Sequence, residues 1–369
     1  MKSAPLRVTY RLRAGGDIQK RARALALEQS IETPLAAVTD PRVLDEVVAQ
    51  VERIEVLPDG SALAHLALSA ETIAGDAGQL MNMLFGNSSL LDDVQIEDIA
   101  VPSDMAQTFE GPALGIEGLR RLVGAGTRAL TCTALKPIGS SVGDLAQMAA
   151  TFAAAGIDII KDDHGWAPRA RATFEQRVVA CQREVERINR GRASRSAYAP
   201  ALAGDAEAMR EQLHFAQSHG VGAVLVTPMI AGASNFNALR REFPAMAFIA
   251  HPALAGNQIA PAALLGVLFR VFGADAVIFP NHGGRFSYTR ATCLSIAARL
   301  REPLAGLRSA LPVPAGGMSV ERVPEIVADY GRDSMLLIGG NLLMAREQLA
   351  ERSREFVQAV AAATSTVAT

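Results

Sequence analysis

The chain has few cysteines, little net charge and no long apolar run. Its three cysteines, Cys132, Cys181 and Cys293, show no metal-site spacing, so we expect a cytoplasmic protein rather than a disulfide scaffold. The net charge is −2 and no basic patch is present, which argues against a nucleic-acid partner. No stretch approaches the roughly 20 apolar residues of a membrane span, and the first fifteen residues lack a signal peptide's apolar run. We therefore expect no membrane partner.

Lysine is also scarce, and its positions are informative. Only four of the 36 Lys and Arg residues are lysines. Lys136 and Lys161 each end an apolar run, at 129–136 and 156–161. A lysine's pKa shifts readily on burial, so such a residue is a candidate base, electrophile or covalently modified group. The alternative is that both side chains only extend from strand ends to solvent.

From about residue 129 onward, short apolar runs alternate with helical patterns eight times. The expected strands are 129–135, 157–160, 197–202, 223–227, 246–250, 275–280, 311–315 and 334–338. The expected helices are 143–155, 170–190, 205–218, 235–242, 260–272, 290–301, 319–330 and 341–361. This rhythm predicts an α/β fold with a C-terminal (β/α)₈ TIM barrel over residues 111–369. The carboxyl ends of barrel strands meet on one face, where catalysis is expected.

Residues 1–110 lack that rhythm. Strand patterns occur at Leu6–Leu12, Ile54–Leu57 and Ala62–Leu68, and helix patterns at Ile18–Glu28 and Ala70–Phe85. Two β-α-β stretches of this kind predict a ferredoxin-like α+β domain. The boundary is expected within 101–118, which is rich in proline and glycine.

The segment Lys161-Asp162-Asp163-His164 is the first candidate site. Alternation places Lys161 and Asp163 on the same side of a strand, and His164 can join them once the strand has ended. A neutral lysine can react with carbon dioxide, and the carbamate formed is an oxygen ligand for a hard cation such as Mg²⁺. The pattern therefore predicts a metal site of Lys161, Asp163 and His164. An ordinary acidic turn at a strand end is the alternative.

Three further features would lie at the same end of the barrel. The pairs Gly316-Gly317 and Gly339-Gly340 follow the last two strands, where barrels often bind phosphate through backbone N–H groups. Arg285 lies in the loop after the sixth strand and can close onto an anion. His251 ends the fifth strand as a candidate catalytic group. Turn glycines, a solvated arginine and a structural histidine are the alternatives.

These segments together resemble the large subunit of ribulose-bisphosphate carboxylase, and more specifically its RuBisCO-like relatives that do not fix carbon dioxide. The similar segments are Gly156–Asp163, with the carbamylated-lysine motif, and Lys136–Pro137, Ala201–Met209, Leu311–Gly317, Leu336–Gly340, Glu28–Thr33 and Asn82–Gly86. The resemblance spans nearly the whole chain.

The resemblance implies a homodimer with shared active sites. Lys136 would be the first catalytic lysine, and Lys161 would be carbamylated and hold Mg²⁺. Glu28 and Asn82 would reach into the partner's active site, and Thr33 would contact phosphate there. No nicotinamide or flavin is implied.

Four departures from the family pattern bear on function. The loop after the sixth strand, 280–286, has no lysine, and Ile138 replaces the second lysine of the Lys-Pro-Lys motif. Pro252 replaces an arginine that binds a second phosphate, and His164 replaces a glutamate ligand. One phosphate site is therefore expected, and with it a sugar monophosphate as the substrate.

The expected chemistry is an enolate or enediolate held on the metal, with Lys136 as proton donor or base. We expect a lyase that decarboxylates 3-oxo-isoapionate 4-phosphate, because the metal motif and the Gly-Gly-Arg-Phe loop resemble that group. The alternative is a methionine-salvage enolase or isomerase acting on a 5-methylthio-ketose 1-phosphate. A second alternative is a catalytically inactive, phosphate-binding regulatory protein.

Overall fold

The computed structural model describes residues 4–166 and 172–366. Its N-terminal part is a four-stranded antiparallel sheet in the order β2-β3-β1-β4. The strands are β1 (Leu6–Leu12), β2 (Gln50–Val56), β3 (Ala62–Leu68) and β4 (Val94–Ala100), and the helices are α1 (Ile18–Glu28), α2 (Pro41–Glu46) and α3 (Ala77–Phe85). The succession β1-α1-β2-β3-α3-β4 is that of a ferredoxin-like fold.

The N-terminal elements differ locally from the expected ones. The helix expected over 70–85 breaks after a 3₁₀ turn, because Ala74 and Gly75 adopt left-handed φ values of 50° and 72°. Asp76 then caps α3 by accepting from the backbone N–H of Gln79 at 2.6 Å. Strand β4 was not anticipated, although its burial alternates along most of its length.

Two helices, α4 (Ser103–Thr108) and α5 (Gly115–Val123), lead from the first sheet to the barrel. They occupy the region where the sequence predicts the domain boundary. The division into 1–110 and 111–369 stays a prediction.

The remaining chain forms eight parallel strands, each followed by helix, which confirms the (β/α)₈ prediction. The strands are β5 (Leu130–Leu135), β6 (Ile159–Asp162), β7 (Ala197–Ala199), β8 (Ala223–Val226), β9 (Ala247–Ala250), β10 (Ala276–Pro280), β11 (Leu311–Ala315) and β12 (Met335–Leu337). They pair as β12-β5-β6-β7 and β8-β9-β10-β11, and an Ala201–Leu225 bridge joins the two sheets. Strand β7 is shorter than predicted because Pro200 cannot donate to the ladder.

The outer layer contains helices in all eight regions where the sequence predicts them. They are α6 (Val142–Ala155), α7 (Phe174–Asn189), α8 (Ala206–Ser218), α9 (Pro228–Ala231), α10 (Ala233–Glu242), α11 (Phe269–Val271), α12 (Arg290–Arg301), α13 (Val323–Tyr330), α14 (Gly340–Leu343) and α15 (Leu349–Thr366). The helix expected over 341–361 is divided into α14, a 3₁₀ turn and α15. A π-helix, Ala262–Leu268, precedes α11. Residues 170 and 171 of the predicted second helix lie outside the described residues.

The N-terminal sheet docks directly onto the barrel. The backbone of Ile96 donates to Gln258 O at 2.9 Å and accepts from Ala260 N at 2.8 Å, so β4 pairs with the loop after β9. Arg299 of α12 adds an ion pair with Asp98 at 2.7 Å. These contacts fix the loop that follows His251. Among the helices of the described residues, none has the length and apolar character that a membrane crossing requires.

Candidate active site

A cavity of about 820 Å³ opens at the carboxyl ends of the barrel strands. Ten of the thirteen residues that the sequence predicts for the site line it. They are Lys136, Lys161, Asp163, His164, His251, Arg285, Gly316, Gly317, Gly339 and Gly340. Residues on six of the eight strand ends or following loops are therefore brought to one place, as a closed barrel requires.

Both carboxylate oxygens of Asp163 accept hydrogen bonds. Lys136 Nζ donates to its Oδ2 at 2.6 Å, and the backbone N–H of His164 donates to its Oδ1 at 2.9 Å. The Nδ1 of His164 lies 3.1 Å from the same Oδ1. Burial raises the pKa of Asp163, but the hydrogen bonds from His164 and Lys136 outweigh burial and hold the pKa well below its usual range. The carboxylate is therefore ionised.

Alternation along β6 separates Asp162 from its neighbours. Lys161 lines the cavity, with Nζ donating to the Asp162 carbonyl oxygen at 3.0 Å. The Asp162 carboxylate faces the outer layer, where Arg177 and Tyr198 each bond it at 2.8 Å. Burial lowers the pKa of Lys161, which favours the neutral amine that reacts with carbon dioxide. The Asp162 carboxylate therefore anchors β6 to the outer layer, and the Lys161 side chain lines the cavity.

His251 at the end of β9 lies against His164. The two rings stack at 3.8 Å between centroids with 15° between their planes. Burial lowers the pKa of His251 to about 2, so its ring is neutral. Its Nδ1 accepts from the backbone N–H of Ala253 at 3.1 Å. A neutral imidazole carries one N–H, so Nε2 is the donor.

The two glycine pairs differ in why glycine is present. Gly316 and Gly317 have left-handed φ values of 80° and 78°, and a Cβ at Gly317 would lie 2.5 Å from Gly284 Cα. Gly339 and Gly340 have no left-handed φ, and a Cβ at either would meet no described atom within 4 Å. Backbone conformation and packing therefore require glycine at the first pair only, whereas the second pair leaves open backbone facing the cavity.

Glu28, Thr33 and Asn82 do not line this cavity. Glu28 accepts from Asn87 at 2.9 Å at the end of α1, and Asn82 is exposed on α3. The buried Gln29 ties these helices together by donating to the carbonyl oxygens of Met83 and Leu84 at 2.8 and 2.7 Å. Their role in a partner's site stays a prediction.

Sequence reasoning missed the apolar part of the wall. Leu254, Phe286 and Met344 line the cavity and are among the exposed large apolar side chains, at 72%, 47% and 72%. They come from the loops after β9 and β10 and from the segment after α14. Large apolar residues within loops were the available signal.

A second group of potential ligands, His282, Glu325 and Asp329, lies in the layer behind the β10 loop. Its carboxylates already have cationic partners. Arg290 pairs with Asp329, and Arg322 pairs with Glu325 at 2.9 Å. His282 Nε2 lies 3.0 Å from Asp329. The group is charge-balanced, so we assign it a structural role.

Comparison with known proteins identifies the class. Residues 115–276 match the family model described as the ribulose bisphosphate carboxylase large chain, catalytic domain. A protein of Rhodospirillum rubrum named 5-methylthioribulose-1-phosphate isomerase is 51% identical over 363 residues, covering 98% of this chain and 97% of the relative. The chain therefore belongs to the ribulose-bisphosphate carboxylase large-chain family. It is an enzyme of the RuBisCO-like branch.

Two more relatives support the same placement. A 2,3-diketo-5-methylthiopentyl-1-phosphate enolase of Geobacillus kaustophilus is 29% identical over 357 residues, covering 90% of this chain and 86% of that protein. The crystal structure of a RuBisCO-like protein from Rhodopseudomonas palustris superposes with a TM-score of 0.90 at 43% identity, covering 97% of this chain and 98% of that one.

These relatives overturn the expected reaction. Decarboxylation of 3-oxo-isoapionate 4-phosphate is wrong, because relatives that match almost the whole chain are named for methylthio-sugar phosphates. The metal motif and the Gly-Gly-Arg-Phe loop were insufficient to choose between reactions that share an enolate.

Proposed function

We propose that the chain is an isomerase of a 5-methylthio-ketose 1-phosphate, with 5-methylthioribulose 1-phosphate as its substrate. The observation that carries this proposal is that one cavity is lined by both charged and large apolar side chains. Lys136, Asp163 and Arg285 supply charge, whereas Leu254, Phe286 and Met344 supply apolar surface. A sugar that carries both a phosphate and a methylthio group matches that combination of side chains.

The phosphate is held near the open backbone of Gly339 and Gly340, with Arg285 as its cationic partner. Backbone N–H groups at these glycines can approach an anion because no side chain intervenes. Gly316 and Gly317 line the same cavity. Thr33 of a second subunit completes this site in a homodimer with shared active sites, to which Glu28 and Asn82 also contribute.

The donor set fits a divalent cation once Lys161 is carbamylated. Asp163 and His164 alone offer one carboxylate and one imidazole, and the lowered pKa of Lys161 leaves its amine ready to add carbon dioxide. Carbamate, carboxylate and imidazole together suit Mg²⁺ or a related ion. Such a cation, when bound, stabilises the negative charge that develops on the substrate oxygen.

Isomerisation moves a carbonyl along the sugar, so a proton must leave one carbon and return to its neighbour. Lys136 is placed to carry that proton, because its Nζ reaches the cavity and Asp163 holds it at 2.6 Å. His251 donates from Nε2 to a substrate oxygen as the neutral ring. The apolar side chains provide a contact surface for the methylthio group.

The test is incubation of the Mg²⁺- and bicarbonate-treated enzyme with 5-methylthioribulose 1-phosphate in D₂O, followed by ¹H and ³¹P NMR. A new methylthio-pentose phosphate is the expected product. Absence of turnover would contradict the proposal. Enolisation of 2,3-diketo-5-methylthiopentyl 1-phosphate in a parallel reaction, without isomerisation, would transfer the assignment to the enolase.

A further inference from the structure

The loop after β10, residues 281–289, packs backbone against backbone on the loop after β11. A Cβ at Gly284 would overlap the carbonyl oxygen of Gly316, and a Cβ at Gly317 would lie 2.5 Å from Gly284 Cα and 3.4 Å from Arg285 N. The φ of Gly284 is not left-handed. Packing alone therefore requires glycine at 284. The backbone immediately before Arg285 is in close contact with the loop after β11.

The start of the same loop is anchored by several bonds. The backbone of Asn281 donates to Ala315 O at 2.7 Å, and the Asn281 side chain accepts from the Tyr330 hydroxyl at 2.5 Å. His282 is held through its ring by Asp329 at 3.0 Å and through its carbonyl by Arg322 at 3.2 Å. The loop is thus fixed to the β11–α13 unit on both sides of Gly283.

Arg285 has a defined packing partner but no carboxylate. Its guanidinium lies 4.8 Å from the centroid of the Phe286 ring, and that ring lies 3.3 Å from the position of a Cβ on Gly316. Asp163 is the one carboxylate among the described residues that line the cavity, and it is bonded to Lys136 and His164. The positive charge of Arg285 is therefore free for an anionic ligand.

We propose that the Gly284–Gly317 backbone contact is a positioning device that fixes Arg285 as the cationic partner of the substrate's phosphate. This inference depends on the proposed phosphate site. Gly284 and Gly317 are positioning residues, because they act through Arg285. The first glycine pair thus serves to hold the β10 loop, while Gly339 and Gly340 leave room for the anion.

The experiment is a double-mutant cycle between Gly284→Ala and Arg285→Ala in the full-length protein. Each single change should raise both the dissociation constant of inorganic phosphate and KM about tenfold, as expected for loss of a charge-assisted hydrogen bond. The kcat should change much less. In the Arg285→Ala background, Gly284→Ala should raise the dissociation constant and KM further by less than about twofold, because the effects of interacting residues are not additive.

Inorganic phosphate binding, measured by calorimetry, separates this inference from the reaction. It reports on the Gly284–Arg285 coupling even if 5-methylthioribulose 1-phosphate is not a substrate. Gly143→Ala is the matched control. Its Cβ would lie 3.8 Å from the nearest atom on an exposed turn of α6, and it should leave phosphate binding and KM unchanged.

Phe286→Leu provides a second variant if Gly284→Ala does not fold. It removes the ring that packs against Arg285 without introducing an overlap, so it should weaken phosphate binding about threefold in the wild-type background. In the Arg285→Ala background the same change should leave phosphate binding unchanged. Three outcomes would each overturn the proposal. They are additive effects in the cycle, unchanged phosphate affinity in Gly284→Ala, and no measurable phosphate binding to the wild type.

Discussion

Lys136 Nζ lies 2.6 Å from Asp163 Oδ2, and the opposite oxygen of that carboxylate is bonded by His164. One carboxylate therefore orients both the predicted proton carrier and a predicted metal ligand. Lys136 follows β5 and Asp163 follows β6, so this relationship depends on the register of two neighbouring strands. Loss of either partner is expected to affect both functions of the site.

Lys136→Met should remove proton transfer while leaving the barrel folded, because the side chain is partly exposed at the cavity. General acid–base groups contribute about 10²–10⁴-fold to rate, so kcat should fall within that range with little change in KM. Deuterium exchange at the substrate carbon in D₂O measures the step directly. Exchange at the wild-type rate would contradict the assignment.

Lys161→Met should abolish carbamylation and, with it, activation by bicarbonate and Mg²⁺. Incubation with ¹³C-labelled carbon dioxide should give a carbamate signal in the wild type and none in the variant. Chelator should inactivate the wild type. Lys20→Met is the matched control, because Lys20 is exposed on α1. Equal activation by bicarbonate in wild type and Lys161→Met would exclude this role.

Gly339→Ala should raise KM for the phosphorylated substrate about tenfold, as for a lost hydrogen bond to a charged group. The added methyl group meets no described atom within 4 Å, so the melting temperature should stay unchanged. Thermal denaturation and steady-state kinetics on the same preparation test both statements. A large fall in melting temperature with an unchanged KM would assign the glycine to folding instead.

Leu254→Asp should weaken recognition of the methylthio end. Replacing apolar surface by a carboxylate should raise KM for the methylthio substrate about tenfold. The same change should affect ribulose 1-phosphate much less, because that sugar lacks the apolar group. Competition between the two sugars, measured in the wild type and the variant, gives the ratio directly. An equal effect on both would place the methylthio group elsewhere.

Asp329→Asn should change how stability depends on pH. Burial raises the pKa of Asp329, but Arg290 and His282 outweigh it and lower the pKa below its ordinary value of 3.8. As pH falls, the carboxylate of Asp329 is therefore protonated in the unfolded chain before it is protonated in the folded protein. The stability that the ionised carboxylate contributes is lost as pH falls through and below 3.8. The melting-temperature difference between wild type and variant should shrink from pH 6 to pH 3. A constant difference would contradict the assignment.

Elements with local signals are predictable from the amino-acid sequence alone. The eight apolar runs mark the barrel strands because buried parallel strands are apolar on both faces. Lys161, Asp163 and His164 were predicted together because they are adjacent in the chain and strand alternation fixes their direction.

Contacts between residues that are distant in the chain depend on the tertiary structure. It stacked His251 on His164, distinguished the packed Gly316–Gly317 pair from the open Gly339–Gly340 pair, and placed Leu254 in the cavity wall. Such contacts form only when the barrel closes and brings distant loops to one face. No local pattern reports whether a glycine is needed for packing or leaves room for a ligand, because that depends on atoms contributed by other strands.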